Sequence, residues 1–290
     1  MAQTLWAQNA TKLGEALAKR QGCNSLPIDP LKIARALDIE VEALPSDHRG
    51  VSGMLLFSGS SFGIMYATYL DNQGFENFCV AHEIGHHEIP GHPEKILVDG
   101  KHVSRAGFSA ADRCELEADH FAAGLLMPSY LFDAEINRNQ SGLQAVESLA
   151  QKCETSLVAT AIRYAQRTPD PIAVIVSEKK SIRYCFMSDE FKEIRGLTWI
   201  KKGDLIPKDT ATYRFNSHEN NVLQAHRAEA ETSLSDWFGC NTQFEAYEEV
   251  TGLGAYGKTL TVISLDALPT QEEHDDEDEL VESWTPRFRR

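Results

Sequence analysis

Apolar side chains recur at three- and four-residue spacing near the start of the chain, which is the pattern of an amphipathic helix. The stretch from Leu5 to Lys19 follows this pattern. Its apolar side is predicted to carry Leu13, Ala16 and Leu17. We therefore expect an N-terminal helix that packs against the body of the protein through these three side chains.

Up to residue 167, short apolar runs alternate with longer helical periods, which is typical of an α+β fold. The loop Ser58-Gly59-Ser60-Ser61 separates two apolar runs and predicts a hairpin. Ser109 and Asp112 form a candidate capping box. The predicted elements are a helix over Ile28–Leu37, a strand over Ile39–Leu44, hairpin strands over Gly53–Phe57 and Phe62–Tyr66, a helix over Phe75–His87, a long loop over 88–108, a helix from Asp112 to Pro128, and a helical pair over Leu143–Lys152 and Ser156–Gln166.

The proline-rich segment Thr168-Pro169-Asp170-Pro171 predicts a linker. Two β-rich runs follow it, flanking the turn Glu178-Lys179-Lys180, and a further α+β unit is expected. Its predicted elements are strands over Ile172–Val176 and Ser181–Met187 and a helix over Leu223–Ser233, and the segments Asp236-Trp237-Phe238, Gln243–Val250 and Leu260–Leu265 complete the unit. The expected domains are 1–167, with a helical subdomain at about 140–167, and 168–268, followed by an acidic, disordered tail at 269–290.

Charge and composition narrow the function. The 290 residues carry a net charge of −15, which argues against general nucleic-acid binding. Residues 171–215 are an exception, with nine Lys and Arg against six Asp and Glu. The chain has no run of eighteen apolar residues and no apolar leader at its start, so we expect a cytoplasmic protein without a membrane partner. The six cysteines lack C-x-x-C spacing and are expected to be free thiols.

The candidate chemistry lies in the segment Cys79-Val80-Ala81-His82-Glu83-Ile84-Gly85-His86, which contains H-E-x-x-H on a predicted helix. His82 and His86 are four residues apart, so both imidazoles project from one face and suit two ligands of Zn²⁺. Glu83 adjoins the first ligand and can act as general base without binding the metal. A helix that merely carries two histidines would show the same short pattern.

The second helix can complete the site. Glu115 and Asp119 share a face at i, i+4. A catalytic zinc requires three protein ligands, and Glu115 can supply the third, while Asp119 can orient a histidine ring. An acidic, solvated helix face is the alternative, but the apolar residues Ala118, Phe121, Ala122 and Leu125 indicate that this helix packs in a core.

The pattern A-H-E-x-G-H followed by E-x-E-A-D-x-F-A-x-x-L-L-M-P resembles the ImmA/IrrE metallopeptidases over about residues 24–165. This resemblance implies zinc bound by His82, His86 and Glu115, with Glu83 as the base. Two departures stand out. Cys79 occupies a position where the family commonly has threonine, and the loop between His86 and Glu115 is long and contains extra histidines.

The family resemblance implies limited cleavage of a helix-turn-helix repressor, which derepresses stress or anti-phage genes. The elements after the linker resemble the GAF-like sensor domain attached to some members. Within 171–215, aromatic residues interleave with basic ones, which suits activation by single-stranded DNA. The basic candidates are Lys179, Lys180, Arg183, Lys201, Lys202 and Arg214. A non-cleaving, zinc-containing protein that binds the repressor and a toxin–antitoxin component are the alternatives, and the oligomeric state stays open.

Two further roles are expected near the metal. A thiolate that filled the fourth zinc position would hold an enzyme latent, and Cys114 and Cys79 are the candidates, with Cys114 favoured because it follows a long loop. Both could equally be small packed residues. The residue that stabilises the oxyanion is expected among His92, His102, His120 and Tyr130.

Overall fold

The computed structural model describes residues 2–48, 50–70, 72–105, 112–136, 141–239 and 244–265. The chain divides into two compact units at the Thr168–Pro169 bond. Both units combine helices with a sheet, so the α+β prediction is confirmed. No described helix is both long enough and apolar enough to cross a bilayer. Ser109, Cys240 and the predicted tail at 269–290 lie outside the described residues.

The first unit contains eight helices and four strands within its described residues. The helices are α1 (Ala2–Arg20), α2 (Pro30–Ala36), α3 (Gln73–Glu88), α4 (His92–Ile96), α5 (Arg113–Leu126), α6 (Ser129–Ile136), α7 (Gly142–Cys153) and α8 (Leu157–Arg167). The strands are β1 (Ile39–Ala43), β2 (Gly53–Ser58), β3 (Ser61–Tyr66) and β4 (Lys101–Ser104).

The four strands form a mixed sheet in the order β1-β3-β2-β4. The predicted hairpin is present as β2 and β3, which pair in an antiparallel manner through to Ser58 and Ser61. The predicted long loop over 88–108 is wrong in part, because it contains α4 and β4. β4 pairs with β2, so Leu55 lies opposite His102. This pairing brings a histidine of the presumed loop onto the sheet.

α1 packs closely against α5. A methyl group at Gly14 would lie 2.2 Å from the carbonyl oxygen of Phe121, and one at Gly124 would lie 2.2 Å from that of Thr11. The buried side of α1 therefore contains Ala10, Gly14, Leu17 and Ala18, whereas the predicted Leu13 and Ala16 are exposed. The apolar pattern located the helix and the buried Leu17 correctly but was wrong for Leu13 and Ala16, because close approach of two backbones favours small residues at the contact.

The second unit contains an antiparallel five-stranded sheet in the order β6-β5-β9-β8-β7. Its strands are β5 (Ile172–Glu178), β6 (Ser181–Met187), β7 (Arg227–Ser233), β8 (Glu245–Gly252) and β9 (Thr259–Ser264). Its helices are α9 (Asp189–Lys192), α10 (Ala211–Asn216), α11 (Glu219–Leu223) and α12 (Leu234–Phe238), with a 3-10 turn at Gly254–Tyr256. Phe191, Trp237 and Phe238 belong to its larger apolar core, and Phe215 and Val250 to a smaller one.

The helix predicted over Leu223–Ser233 is wrong. Most of that segment is the strand β7, which pairs with β8 from Arg227 to Ser233. Alanine and glutamate favour helices, which explains the error. Buried and exposed side chains nevertheless alternate along the segment, which is the pattern of a strand. Ala228 and Ala230 pack against the smaller core, while the residues on either side of them face outward.

Candidate metal centre

α3 places three polar side chains in the interior of the first unit. Asn72 caps the helix, since its side chain accepts a hydrogen bond from the Phe75 N–H at 2.9 Å. His82 is 7% exposed, and His86 and Glu83 are fully buried. Buried polar groups are costly unless they are satisfied. Their burial therefore indicates a built site and not a chance pair of histidines.

α5 brings a carboxylate to the two imidazoles. Asp112 caps α5 by accepting a hydrogen bond from the Cys114 N–H at 2.9 Å. The Nε2 atoms of His82 and His86 are 3.1 Å apart. The Glu115 carboxylate lies 3.5 Å from the first Nε2 and 3.2 Å from the second. All three ligand atoms lie within 4.8 Å of one another, which is close enough for one metal ion.

The groups around these ligands fix their orientation. Asp119 Oδ1 lies 2.9 Å from His82 Nδ1, so the carboxylate accepts a hydrogen bond from the ring nitrogen that faces away from the site. His102 of β4 lies 2.8 Å from Glu115 Oε1 through its Nε2. Strand pairing between β2 and β4 creates this contact, which the sequence does not reveal because β4 has only four residues.

The electrostatics of the group favour a cation. Burial lowers the pKa of His86 to about 3, so this imidazole is neutral and able to ligate. Burial would raise the pKa of Glu115, but hydrogen bonds from His102, His82 and His86 hold it well below its usual range. Burial likewise opposes the charge on His82, yet the Asp119 and Glu115 carboxylates raise its pKa to about 10. Metal binding would therefore release a proton from His82.

Glu83 differs from the other carboxylates of the site. Neither of its oxygens makes a well-aligned hydrogen bond among the described residues, and the only hydroxyl that acts on its pKa is that of Ser104, which is itself poorly aligned. Burial raises the pKa of Glu83, and the charge of His82 opposes this only in part. A methyl group at Gly53 would lie 2.4 Å from Glu83 Oε1, so glycine at the start of β2 provides the space for the carboxylate. An unpartnered buried carboxylate next to a cation site is available for proton transfer.

The structure places neither candidate thiol in the His82–His86–Glu115 group. Cys79 packs with Ala67 and Phe75 in a small apolar cluster. Burial raises its pKa, which disfavours the thiolate that a switch would need. Cys114 points into a different group, where it accepts a hydrogen bond from Lys95 Nζ at 3.1 Å. The two thiols flank the metal ligands in sequence, but their side chains leave the helices in other directions.

Two of the four oxyanion candidates lie beside the ligands. His102 contacts Glu115, and His92 Nδ1 lies 3.2 Å from His86 Nδ1. The other two contact different parts of the unit. His120 packs edge-on against Trp6, and the Tyr130 hydroxyl donates to the carbonyl of Cys23 at 2.8 Å.

The basic residues predicted to bind single-stranded DNA lie in the second unit, at the end of the β5–β6 hairpin and near it. Lys179 and Lys180 form the turn. Arg183 pairs with Glu178 at 3.0 Å. Backbone hydrogen bonds from Ile182 N to Asp204 O and from Gly203 N to Ile182 O hold the following loop, which carries Lys201 and Lys202, against β6.

The aromatic residues of this region are not equivalent. Lys180 Nζ lies 4.7 Å from the Tyr213 ring centroid and donates to its hydroxyl at 3.1 Å. Arg214 donates to the carbonyl of Asp209 at 2.9 Å. Trp199 is 58% exposed, whereas Phe215 is 4% exposed and belongs to the core. Trp199 is therefore available for stacking on bases, whereas Phe215 is not.

Comparison with known proteins agrees with the geometry. Residues 34–164 match the family model Peptidase_M78, the IrrE N-terminal-like domain. This match implies a metallopeptidase, and the His82–His86–Glu115 group is consistent with a metal cofactor. The structure is similar to that of a Mycobacterium tuberculosis transcriptional regulator, with a TM-score of 0.56 and 15% identity over 88% of this chain and 76% of that one. At this identity the similarity concerns the fold alone. No curated protein matches the chain in sequence.

Proposed function

We propose that the chain is a zinc-dependent endopeptidase that makes limited, regulatory cuts in a helix-turn-helix transcriptional repressor. The observation that carries this proposal is the pairing of a three-ligand group with a buried, unpartnered glutamate beside it. Two imidazoles and one carboxylate are a catalytic zinc donor set that leaves one coordination position open. A structural zinc site usually has four protein ligands and needs no base. Glu83 therefore supports catalysis over zinc-dependent binding of the repressor.

The ligands and the residues around them would have different roles in peptide hydrolysis. When bound by His82, His86 and Glu115, zinc supplies Lewis acidity toward water and the scissile carbonyl. Glu83 accepts the proton of the attacking water and delivers it to the leaving amine, and its raised pKa suits both transfers. Asp119 holds the His82 ring in its ligating tautomer.

The repressor as substrate, and the release of stress or anti-phage genes, follow from the family resemblance. The IrrE N-terminal-like domain and the fold similarity to a transcriptional regulator support a regulatory role. The second unit would be the sensor. Its antiparallel five-stranded sheet supports a GAF-like assignment, and the basic hairpin end supports single-stranded DNA as the trigger.

The test compares wild type with Glu83→Gln, a change that keeps the shape of the side chain and removes the base. Both proteins are incubated with a helix-turn-helix repressor chosen from the genes that adjoin this one, with and without a single-stranded oligonucleotide. Gel electrophoresis and mass spectrometry locate the cut, and metal analysis measures zinc. We expect both proteins to contain zinc and only wild type to cleave, with Glu76→Gln of the same helix as the active control. Equal cleavage by Glu83→Gln would refute the proposal.

A further inference from the structure

A second group of ligand-type side chains lies next to the first. It consists of His92 on α4 and of Cys114 and Glu117 on α5, and their ligand atoms lie within 4.8 Å of one another. His92 and Cys114 are each 3% exposed, and the Glu117 side chain is 14% exposed. An imidazole, a thiolate and a carboxylate together form a donor set that Zn²⁺ accepts. None of the three belongs to the His82–His86–Glu115 group.

Positive groups already surround these three side chains. Glu117 Oε1 accepts a hydrogen bond from Arg113 Nε at 2.9 Å, and Lys95 Nζ contacts Cys114 Sγ at 3.1 Å. Both cations lie at the surface, with Lys95 exposed and the Arg113 side chain 64% exposed. Contacts of such exposed cations are weak, so a divalent ion can displace them at little cost. The three side chains therefore attract positive charge, and the cations that now contact them do not prevent a metal ion from binding.

We propose that His92, Cys114 and Glu117 form a second metal position for Zn²⁺, with His92 binding through Nε2. That nitrogen lies 3.0 Å from Glu117 Oε2, so the ring already faces its neighbouring ligand. The proposal rests on the assignment of zinc to the first group. A metal ion at the second position is held by sulphur and lies on the Nδ1 side of His86, whereas the first group lies on its Nε2 side.

The contact between His86 Nδ1 and His92 Nδ1, at 3.2 Å, couples the two positions. A neutral imidazole carries one proton, on either Nδ1 or Nε2. When His86 binds metal through Nε2, its Nδ1 carries the proton and needs His92 Nδ1 as acceptor. The proton of His92 is then on Nε2, where it is donated to Glu117, and His92 cannot ligate.

The converse holds when His92 binds metal through Nε2. Its Nδ1 then donates to His86 Nδ1, and the proton of His86 resides on Nε2, which faces the first group. Two filled positions would direct two N–H groups at each other across 3.2 Å. The chain therefore holds one ion at either position, and movement of the ion from the second to the first converts a latent protein into an active one.

Cobalt absorption separates the two positions, because a thiolate ligand to Co²⁺ produces a charge-transfer band in the near ultraviolet. The His82→Ala variant, which disables the first position, is titrated with Co²⁺ as the full chain. We expect one ion per chain and a thiolate band. In His82→Ala/Cys114→Ser the band disappears and the affinity for Co²⁺ falls, because the sulphur ligand is lost. His82→Ala/Cys79→Ser is the matched control and keeps the band.

A second first-position variant, Glu115→Gln, is titrated in parallel, and circular dichroism verifies that each variant is folded. Absence of a thiolate band in both folded variants at saturating Co²⁺ would overturn the second position. Uptake of two ions by one wild-type chain would overturn the exclusion. Loss of cleavage in Glu83→Gln is measured separately, so failure of the peptidase assignment remains distinguishable from failure of this site.

Discussion

Gly53 and Glu83 meet where the first strand of the hairpin begins. A methyl group on Gly53 would lie 2.4 Å from the Oε1 of Glu83 and within 3.0 Å of its Cδ. Gly53 pairs with Ser104 of β4, so the sheet forms one wall of the space that the carboxylate occupies. The space for Glu83, the proposed general base, is thus set by a residue that has no side chain, thirty positions earlier in the chain.

Gly53→Ala should lower peptidase activity while leaving zinc content unchanged. The added methyl group must displace the carboxylate, and a misplacement of about 1 Å can cost on the order of 100-fold in rate. Gly63→Ala is the matched control, because this glycine lies on β3 of the same sheet and its nearest neighbours would be 3.8 Å from the methyl group. Equal activity of both variants would show that Gly53 does not position the base.

Replacement of Asp119 should weaken metal binding in a graded manner. Asp119→Ala removes the acceptor for His82 Nδ1 and should lower zinc affinity about 10- to 100-fold. Asp119→Asn retains a carbonyl oxygen and should lose less. Competition with a zinc chelator measures both affinities. Identical affinities of wild type and Asp119→Ala would mean that this carboxylate does not support the His82 ligand.

Arg163 on α8 should be important for the stability of the first unit. Its guanidinium pairs with Glu15 of α1 and donates to the carbonyl of Met127 at 3.0 Å, and its side chain is 5% exposed. Arg163→Met leaves Glu15 without its buried partner and should cost about 3 kcal/mol. Arg167→Met on the same helix breaks a half-exposed pair with Asp133 and should cost about 0–1 kcal/mol. Calorimetry of the full chain compares the two, and equal melting temperatures would contradict the prediction.

The basic end of the second unit should bind single-stranded DNA. Lys201 and Lys202 are exposed, and the structure gives their ammonium groups no partner among the described residues. Lys201→Ala/Lys202→Ala should weaken binding and reduce its salt dependence, since each phosphate contact releases counterions. Lys192→Ala, which removes a lysine already paired with Asp189 at 2.7 Å, should have little effect. Fluorescence anisotropy at low salt provides the measurement, and its failure to detect binding would exclude this trigger.

The sequence predicted those parts of the site that depend on local spacing. Periodicity placed α3 and α5, and the i, i+4 relationships of His82 with His86 and of Glu115 with Asp119 put the right side chains on the right faces. The contact between α3 and α5 followed from the need for a third ligand. The two i, i+4 relationships use residues within one helix, where geometry is nearly fixed, and the contact between the helices was inferred from the chemistry of zinc.

The errors concern contacts between distant segments. His102 reaches Glu115 because β4 pairs with β2, a strand about fifty residues earlier, and four residues of strand are too short to be identified by alternation. β7 was mistaken for a helix because Ala and Glu favour helices, and only its pairing with β8 overrides that preference. The Cys114 thiol could not be placed without knowing the direction of α4.

Gly14 of α1 and Gly124 of α5 let the two helix backbones meet closely, which bears on how much of the chain is needed for the first unit to fold. The recognisable sequence begins at residue 34, after α1 has ended. Yet α1 contacts the backbone of α5, the helix that supplies Glu115, at a distance that admits no side chain. A fragment limited to 34–164 would expose that face of α5 to water and lose the partner of Arg163. The structural unit around the candidate metal centre therefore extends beyond the residues that match the family model, and α1 belongs to it.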